Sequence, residues 1–180
     1  MIVFLDFEAS SLGKKSFPIE VAWVFEDGRS RSSLIRPVAD WTDWSCEAEA
    51  IHGISRELLE TEGAPAEQIA REMIDVLSGR ELYASAPSWD GKWLSVLLRA
   101  AGMSRHALRL NKSDDAFLAV ARESMGTKYS ELEISGLVDQ IIKESEPTSS
   151  PAHRALPDAL LELDRWNMVR EAAAKRVASR

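Results

Sequence analysis

The apolar positions change their period along the chain, and the changes predict where strands give way to helices. Residues 2–8, Ile-Val-Phe-Leu-Asp-Phe-Glu, carry four β-favouring apolar residues into two acids separated by a phenylalanine, which predicts a buried strand with a polar end. Pro18–Phe25 predicts a second strand, and Asp27-Gly28 is a hairpin signal returning the chain into a third over residues 31–36, stopped by Pro37. Three early strands on short turns suggest an antiparallel meander opening a mixed sheet. Residues 41–54 lack a clear period and read as irregular. Ser55 is a candidate cap for a short helix through Leu59, and Pro65 opens a longer one in which Ile69, Met73, Ile74 and Leu77 keep helical spacing ahead of Gly79. Residues 81–85 predict a short strand. Residues 90–101 form an amphipathic helix through Trp93, Leu94, Leu97 and Leu98, closed by Gly102. Further helices are expected from Ser113 or Asp114 to Met125, over 130–143, and from about Pro157 onward. The tail at 171–180 is expected to fray, and the Ser-, Pro- and Thr-rich stretch at 144–151 reads as a connector. No repeat or internal boundary interrupts the pattern. The expectation is an α/β fold with a central mixed sheet flanked by helices, in one domain over residues 1–180.

Strand geometry gives the first acids a chemical meaning. Alternate side chains share a face, so Asp6 and Glu8 project together with Cα atoms roughly 6–7 Å apart. Two carboxylates losing water at a strand end repel each other, and a hard divalent cation such as Mg²⁺ or Mn²⁺ would offset that cost. The ordinary alternative is a pair of solvated acids where a strand ends. Asp90, at the start of its helix, reads equally as a first-turn acid satisfying free amide donors. His153 and Asp158 would stand roughly 140° apart on one continuous helix. Pro157 fits a first helical turn and disfavours a helical Leu156, so His153 is expected on the preceding loop and Asp158 in the first turn, where the two can converge. By itself His153 reads as a loop histidine.

Composition narrows the classes. At 180 residues with 45% hydrophobic and 28% charged positions, the chain can bury a sizeable core. Cys46 is the only cysteine, which removes intramolecular disulfides and a four-cysteine zinc site and suggests a reducing, cytoplasmic setting. The N-terminus is apolar only to Leu5, too short for a membrane span. A formal net charge of −7 argues against coating of long duplexes, although a few nucleotides can still be gripped through metal. Lys92, Arg99, Arg105, His106, Arg109 and Lys112 make one basic segment, for which a solvated surface is the ordinary reading and a nucleic-acid-guiding rim the sharper one. The six tryptophans read mainly as core or loop anchors, with Trp89 the exception because it adjoins Asp90.

Taken together these motifs resemble the DnaQ-like 3′–5′ exonucleases of the DEDDh group, which have a ribonuclease H-like fold. The first motif resembles Leu5-Asp6-Phe7-Glu8 continuing through Ser10-Ser11-Leu12, and the second Ala84 to Asp90 with Leu94 and Leu97 beyond. The third resembles His153-Arg154-Ala155-Leu156-Pro157-Asp158-Ala159, and Ile51-His52-Gly53-Ile54-Ser55 resembles the group's His-Gly-Ile segment. These landmarks run in family order from residue 2 to about 166. The resemblance implies that Asp6, Glu8, Asp90 and Asp158 hold two divalent cations, Mg²⁺ or Mn²⁺, with His153 as general base. It further implies hydrolysis of phosphodiesters at single-stranded or frayed 3′ ends of DNA or RNA, releasing nucleoside 5′-monophosphates. Ser10, Ser11, Leu12, His52, Gly53 and Trp89 are the implied substrate contacts, and a homodimer has precedent among small relatives. Two departures stand out: Ser10-Ser11 replaces the usual Thr-Gly, and Ala84-Ser85 with Trp89-Asp90 replaces the usual His-Asn and Phe-Asp. The alternative is a catalytically silent nucleic-acid-binding or regulatory module of the same fold.

Overall fold

A computed structural model describes residues 1–146 and 153–179. Strands β1 (Ile2–Ala9), β2 (Pro18–Phe25) and β3 (Ser30–Arg36) form the expected antiparallel meander. The chain continues through α1 (Cys46–His52), α2 (Arg56–Glu62), β4 (Ala64–Pro65), α3 (Ala66–Leu77), β5 (Glu81–Ala84) and α4 (Pro87–Ala100). It ends with β6 (Leu110–Lys112), α5 (Ser113–Met125), α6 (Glu131–Glu144) and α7 (Ala155–Ala178). The sheet order is β4-β3-β2-β1-β5-β6, with β5 and β6 parallel to β1.

β1 is apolar on both faces because helices cover both. Val3, Leu5 and Phe7 point with Trp23 into a core shared with Ile69 and Met73 of α3 and Leu94 and Leu97 of α4. Phe4 and Val24 point the other way, onto Phe117 of α5, Val138 of α6, and Leu163 and Trp166 of α7. Asp6 and Glu8 continue the face of Phe4, so the α7-side core turns carboxylate at the end of the strand. Burying a side chain such as Phe4 or Trp23, 0% and 1% exposed, contributes roughly 2–3 kcal/mol each. That packing holds the acids where they could not gather on their own.

Several elements depart from the sequence-based expectation. Residues 46–52, read as irregular, form α1: Ser45 caps it by accepting from Ala48 N–H, and Gly53 closes it at φ 70°. α2 runs past Leu59 to Glu62, where Gly63 is required, because a Cβ there would lie 2.3 Å from Leu59 O and 2.6 Å from Arg36 N. α4 begins at Pro87 rather than Asp90, with proline in the first turn, where its missing N–H has no helical acceptor. β4 and β6, of two and three residues, are too short to carry a period. α7 starts at Ala155 and makes Leu156 helical, contrary to the expected break before Pro157. The helix tolerates Pro157 as its third residue, and Glu20 of β2 draws its start upstream by accepting the Ala155 N–H at 3.1 Å. The tail expected to fray is helical through Ala178, with Ala173 buried. Of the expected connector at 144–151, Glu144 belongs to α6, and residues 147–151 lie outside the described residues. Among the described residues no helix is long and apolar enough to cross a membrane.

Candidate metal centre

Three elements converge at the carboxyl end of β1. Asp6 and Glu8 arrive on the strand itself, and Asp158 comes from the first turn of α7. One carboxylate oxygen from each lies within 4.8 Å of the others. Asp90 adjoins this trio from α4 without belonging to it. β5 pairs with β1 only as far as Phe4, leaving that edge of β1 open beyond. There the Phe7 N–H donates to Asp90 Oδ1 at 3.3 Å, which satisfies the amide and ties α4 to the strand.

The electrostatics are those of acids gathered with too little positive charge. Burial, followed by the charges of Asp90, Glu8, Asp158 and Glu162, pushes the Asp6 carboxyl well above its ordinary range. Glu8 is pushed up to about 8, by burial first and then by Asp158 and Glu20, with Arg154 opposing. Burial pushes Asp90 up to about 7, and Asp158 is also raised, chiefly by burial. Asp90 is only 2% exposed, and its Oδ2 has no hydrogen-bond partner. A buried acceptor without a donor, beside three oxygens close enough to share a ligand, fits a hard divalent cation. The donor set is all oxygen, which suits Mg²⁺ or Mn²⁺ over softer ions.

His153 lies on the segment before α7, its imidazole 55% exposed and Nδ1 4.0 Å from Asp158 Oδ2. A cavity of about 290 Å³ opens beside the acids, lined by Glu8, Ser11, Leu12, His52, Trp93 and His153. Leu12, 72% exposed, stands at its edge. His52 is buried, with Nδ1 accepting from Ile54 N–H at 3.0 Å and Nε2 unpartnered, and Gly53 supplies the left-handed turn that makes this possible. Ser11 bonds Asp43 and accepts from Gly13 N–H, shaping the loop at the cavity wall. Ser10 is not brought to the cavity. Its side chain is wholly buried and accepts from Phe17 N–H at 3.1 Å. Trp89 stacks on Trp93 at 5.7 Å, outside the wall that Trp93 forms.

Sequence reasoning missed four residues. Glu20 faces Glu8 across the β1–β2 pair and is 2% exposed. It takes a bidentate pair from Arg154, at 2.9 Å from Nε and 2.6 Å from Nη2. Glu162 lies one turn beyond Asp158 and is held by Arg165 at 2.7 Å; both line the acidic cleft with Asp6 and Asp158. The i, i+4 spacing of Asp158 and Glu162 was a usable signal. The Glu20–Arg154 contact had none, because 134 residues separate the partners.

No protein-family model matches the chain, and no curated protein matches it. Solved structures do. The zinc-ion-bound form of an E. coli ExoI complex with single-stranded DNA superposes at a TM-score of 0.68 and 14% identity, over 99% of this chain and 42% of that one. E. coli exonuclease I with a dA16 oligonucleotide gives 0.67 at 12% identity, over 99% and 42%. A moderately thermophilic exonuclease I from Methylocaldum szegediense gives 0.65 at 14% identity, over 94% and 40%. The chain thus spans less than half the length of these proteins. The likeness is one of fold: a six-stranded mixed sheet flanked by seven helices among the described residues, of ribonuclease H-like type.

Proposed function

We propose that the chain is a metal-dependent 3′–5′ exonuclease that hydrolyses phosphodiester bonds at single-stranded or frayed 3′ ends and releases nucleoside 5′-monophosphates. The observation that carries this reading is the approach of Asp6, Glu8 and Asp158 oxygens to within 4.8 Å of one another, with the partnerless Asp90 oxygen beside them. The ribonuclease H-like fold and the likeness to exonuclease I structures, two of them bound to single-stranded DNA, support it.

In this reading Asp6, Glu8, Asp90 and Asp158 hold two divalent cations, Mg²⁺ or Mn²⁺. Such ions supply Lewis acidity that makes water nucleophilic near neutral pH and offsets charge on the phosphoryl oxygens. The four carboxylates would hold those cations at the end of β1, while Glu20, accepting from Arg154 and the Ala155 N–H, keeps the start of α7 against β2. His153 accepts a proton from the attacking water, its exposed imidazole standing with Nδ1 4.0 Å from Asp158 Oδ2. Leu12 and the Ser11 side of the cavity receive the terminal base and sugar, while His52 and the Gly53 turn bound the far wall. Trp89 offers a face for the adjoining base. Contacts of that kind read shape and stacking, so little base preference is expected.

The test is incubation of 5′-labelled single strands with Mg²⁺ or Mn²⁺, with and without chelator. Stepwise shortening from the 3′ end is expected, abolished by chelator and by Asp6→Ala, and strongly depressed by His153→Ala in a protein that still folds. Label remaining at full length under both metals would remove the reading and leave a silent module of this fold. Matched RNA, single-stranded DNA and duplex DNA in the same assay identify the preferred polymer.

A further inference from the structure

We propose that the outer face of α4 is a track for single-stranded nucleic acid, receiving the part of the strand that lies 5′ of the end held at the acids. This rests on the nuclease reading above and adds to it a surface remote from the metal centre.

Trp89, Lys92, Val96 and Arg99 are spaced i, i+3, i+7 and i+10, which places them on one stripe of α4. Ten residues of helix make that stripe about 15 Å long. Its upper end is continuous with the candidate site. Trp93 lines the cavity that holds Leu12 and His153, and Trp89, 39% exposed, stacks on Trp93 at 5.7 Å. The Lys92 ammonium lies 5.2 Å from the Trp89 ring centre and is anchored by Gly13 O at 2.6 Å. Its lower end opens into a second groove, where Val96 and Arg99 face Trp41.

Charge selects the ligand. The stripe carries Lys92 and Arg99, and no acid lies between them in sequence, in a protein with a formal charge of −7. Arg99 is exposed, donates only to Ser95 O of its own helix, and has no ion pair among the described residues. Exposed indole beside ammonium and guanidinium is the pairing that single strands use, with bases on the ring and phosphates on the cations. A duplex would not fit, because its bases are already stacked. Asp40 also lines the lower groove and opposes the cations there.

The experiment measures binding without turnover. Fluorescence anisotropy of a 5′-labelled oligothymidylate of about 12 nucleotides, in chelator, is compared with that of a trinucleotide, for the full chain and for two substitutions. Arg99→Glu should weaken the long strand about tenfold, the scale of one reversed charge contact, and leave the trinucleotide unchanged. It should also flatten the salt dependence by about 0.7 in log–log slope. Arg99→Lys should restore most of the affinity, and Asp40→Asn should tighten it. An unchanged long-strand affinity in Arg99→Glu, or equal weakening of both lengths, would overturn the track. A protein that binds long strands through Arg99 yet cleaves none refutes the nuclease reading and upholds the track. One that cleaves with a KM independent of strand length refutes the track alone.

Discussion

Replacing Asp90 by Asn should stabilise the metal-free protein at pH 8 and remove most of the stabilisation that divalent cations confer. Asp90 is 2% exposed; one oxygen accepts the Phe7 N–H at 3.3 Å and the other has no partner. Burial pushes its carboxyl from 3.8 up to about 7, so keeping it ionised at pH 8 costs on the order of 4 kcal/mol. Asparagine keeps the bond to Phe7 but leaves an amide in the place of the partnerless oxygen, a penalty of about 1–3 kcal/mol. The net gain is then about 1–3 kcal/mol, or roughly 2–12 °C in Tm for a chain of this size. The sign follows from linkage. A raised folded-state pKa gives stability that is fully present below the unfolded value and is lost as pH rises through the folded value. The advantage of asparagine must therefore shrink towards zero as pH falls from 8 to 5. Thermal melts in chelator at the two pH values measure this directly. In the second arm, Mg²⁺ or Mn²⁺ at 100 times its dissociation constant should stabilise the parent by about 2.7 kcal/mol and the variant by much less. A variant that melts below the parent in chelator at pH 8, or gains as much from metal, would refute the assignment of Asp90 to the centre.

The parent protein itself should grow more stable in chelator as pH falls from about 8 towards 4.5, because Glu8, held at about 8, and Asp90, held at about 7, take up protons on folding. Saturating metal should flatten or invert that slope, since cations favour the ionised carboxylates; calorimetry across the range reads both curves. The Glu20–Arg154 pair should respond asymmetrically, because Glu20 is 2% exposed at its side chain and Arg154 43%. Arg154→Met strands a buried carboxylate and should cost about 3–5 kcal/mol in urea unfolding, whereas Glu20→Gln leaves the arginine in water and should cost clearly less. Equal losses would mean that Glu20 is better solvated than its surroundings indicate.

Much of the fold was legible because its signals are local. The Asp27-Gly28 hairpin and the Ser55 cap each act within a few residues. α1 could have been read the same way, from Ser45 and Gly53 at its two ends, but its side chains carry little apolar period. The candidate site was legible in part. Period-two alternation puts Asp6 and Glu8 on one face, and the third motif brings His153 and Asp158 close. Ser10 was assigned to the substrate by its position in the first motif, whereas the fold turns its hydroxyl inward to Phe17.

From the residues alone, this chain determined its strand meander, most of its helix ends and the shared face of its first two acids, since backbone preference and side-chain period are properties of a short window. Tertiary structure decided where α7 begins, because Glu20 captures Arg154 and the Ala155 N–H from far along the chain. It also decided that β5 stops short beside β1, freeing the Phe7 N–H for Asp90. Those outcomes depend on which unpaired donor meets which buried acceptor, and that is settled only when distant elements pack.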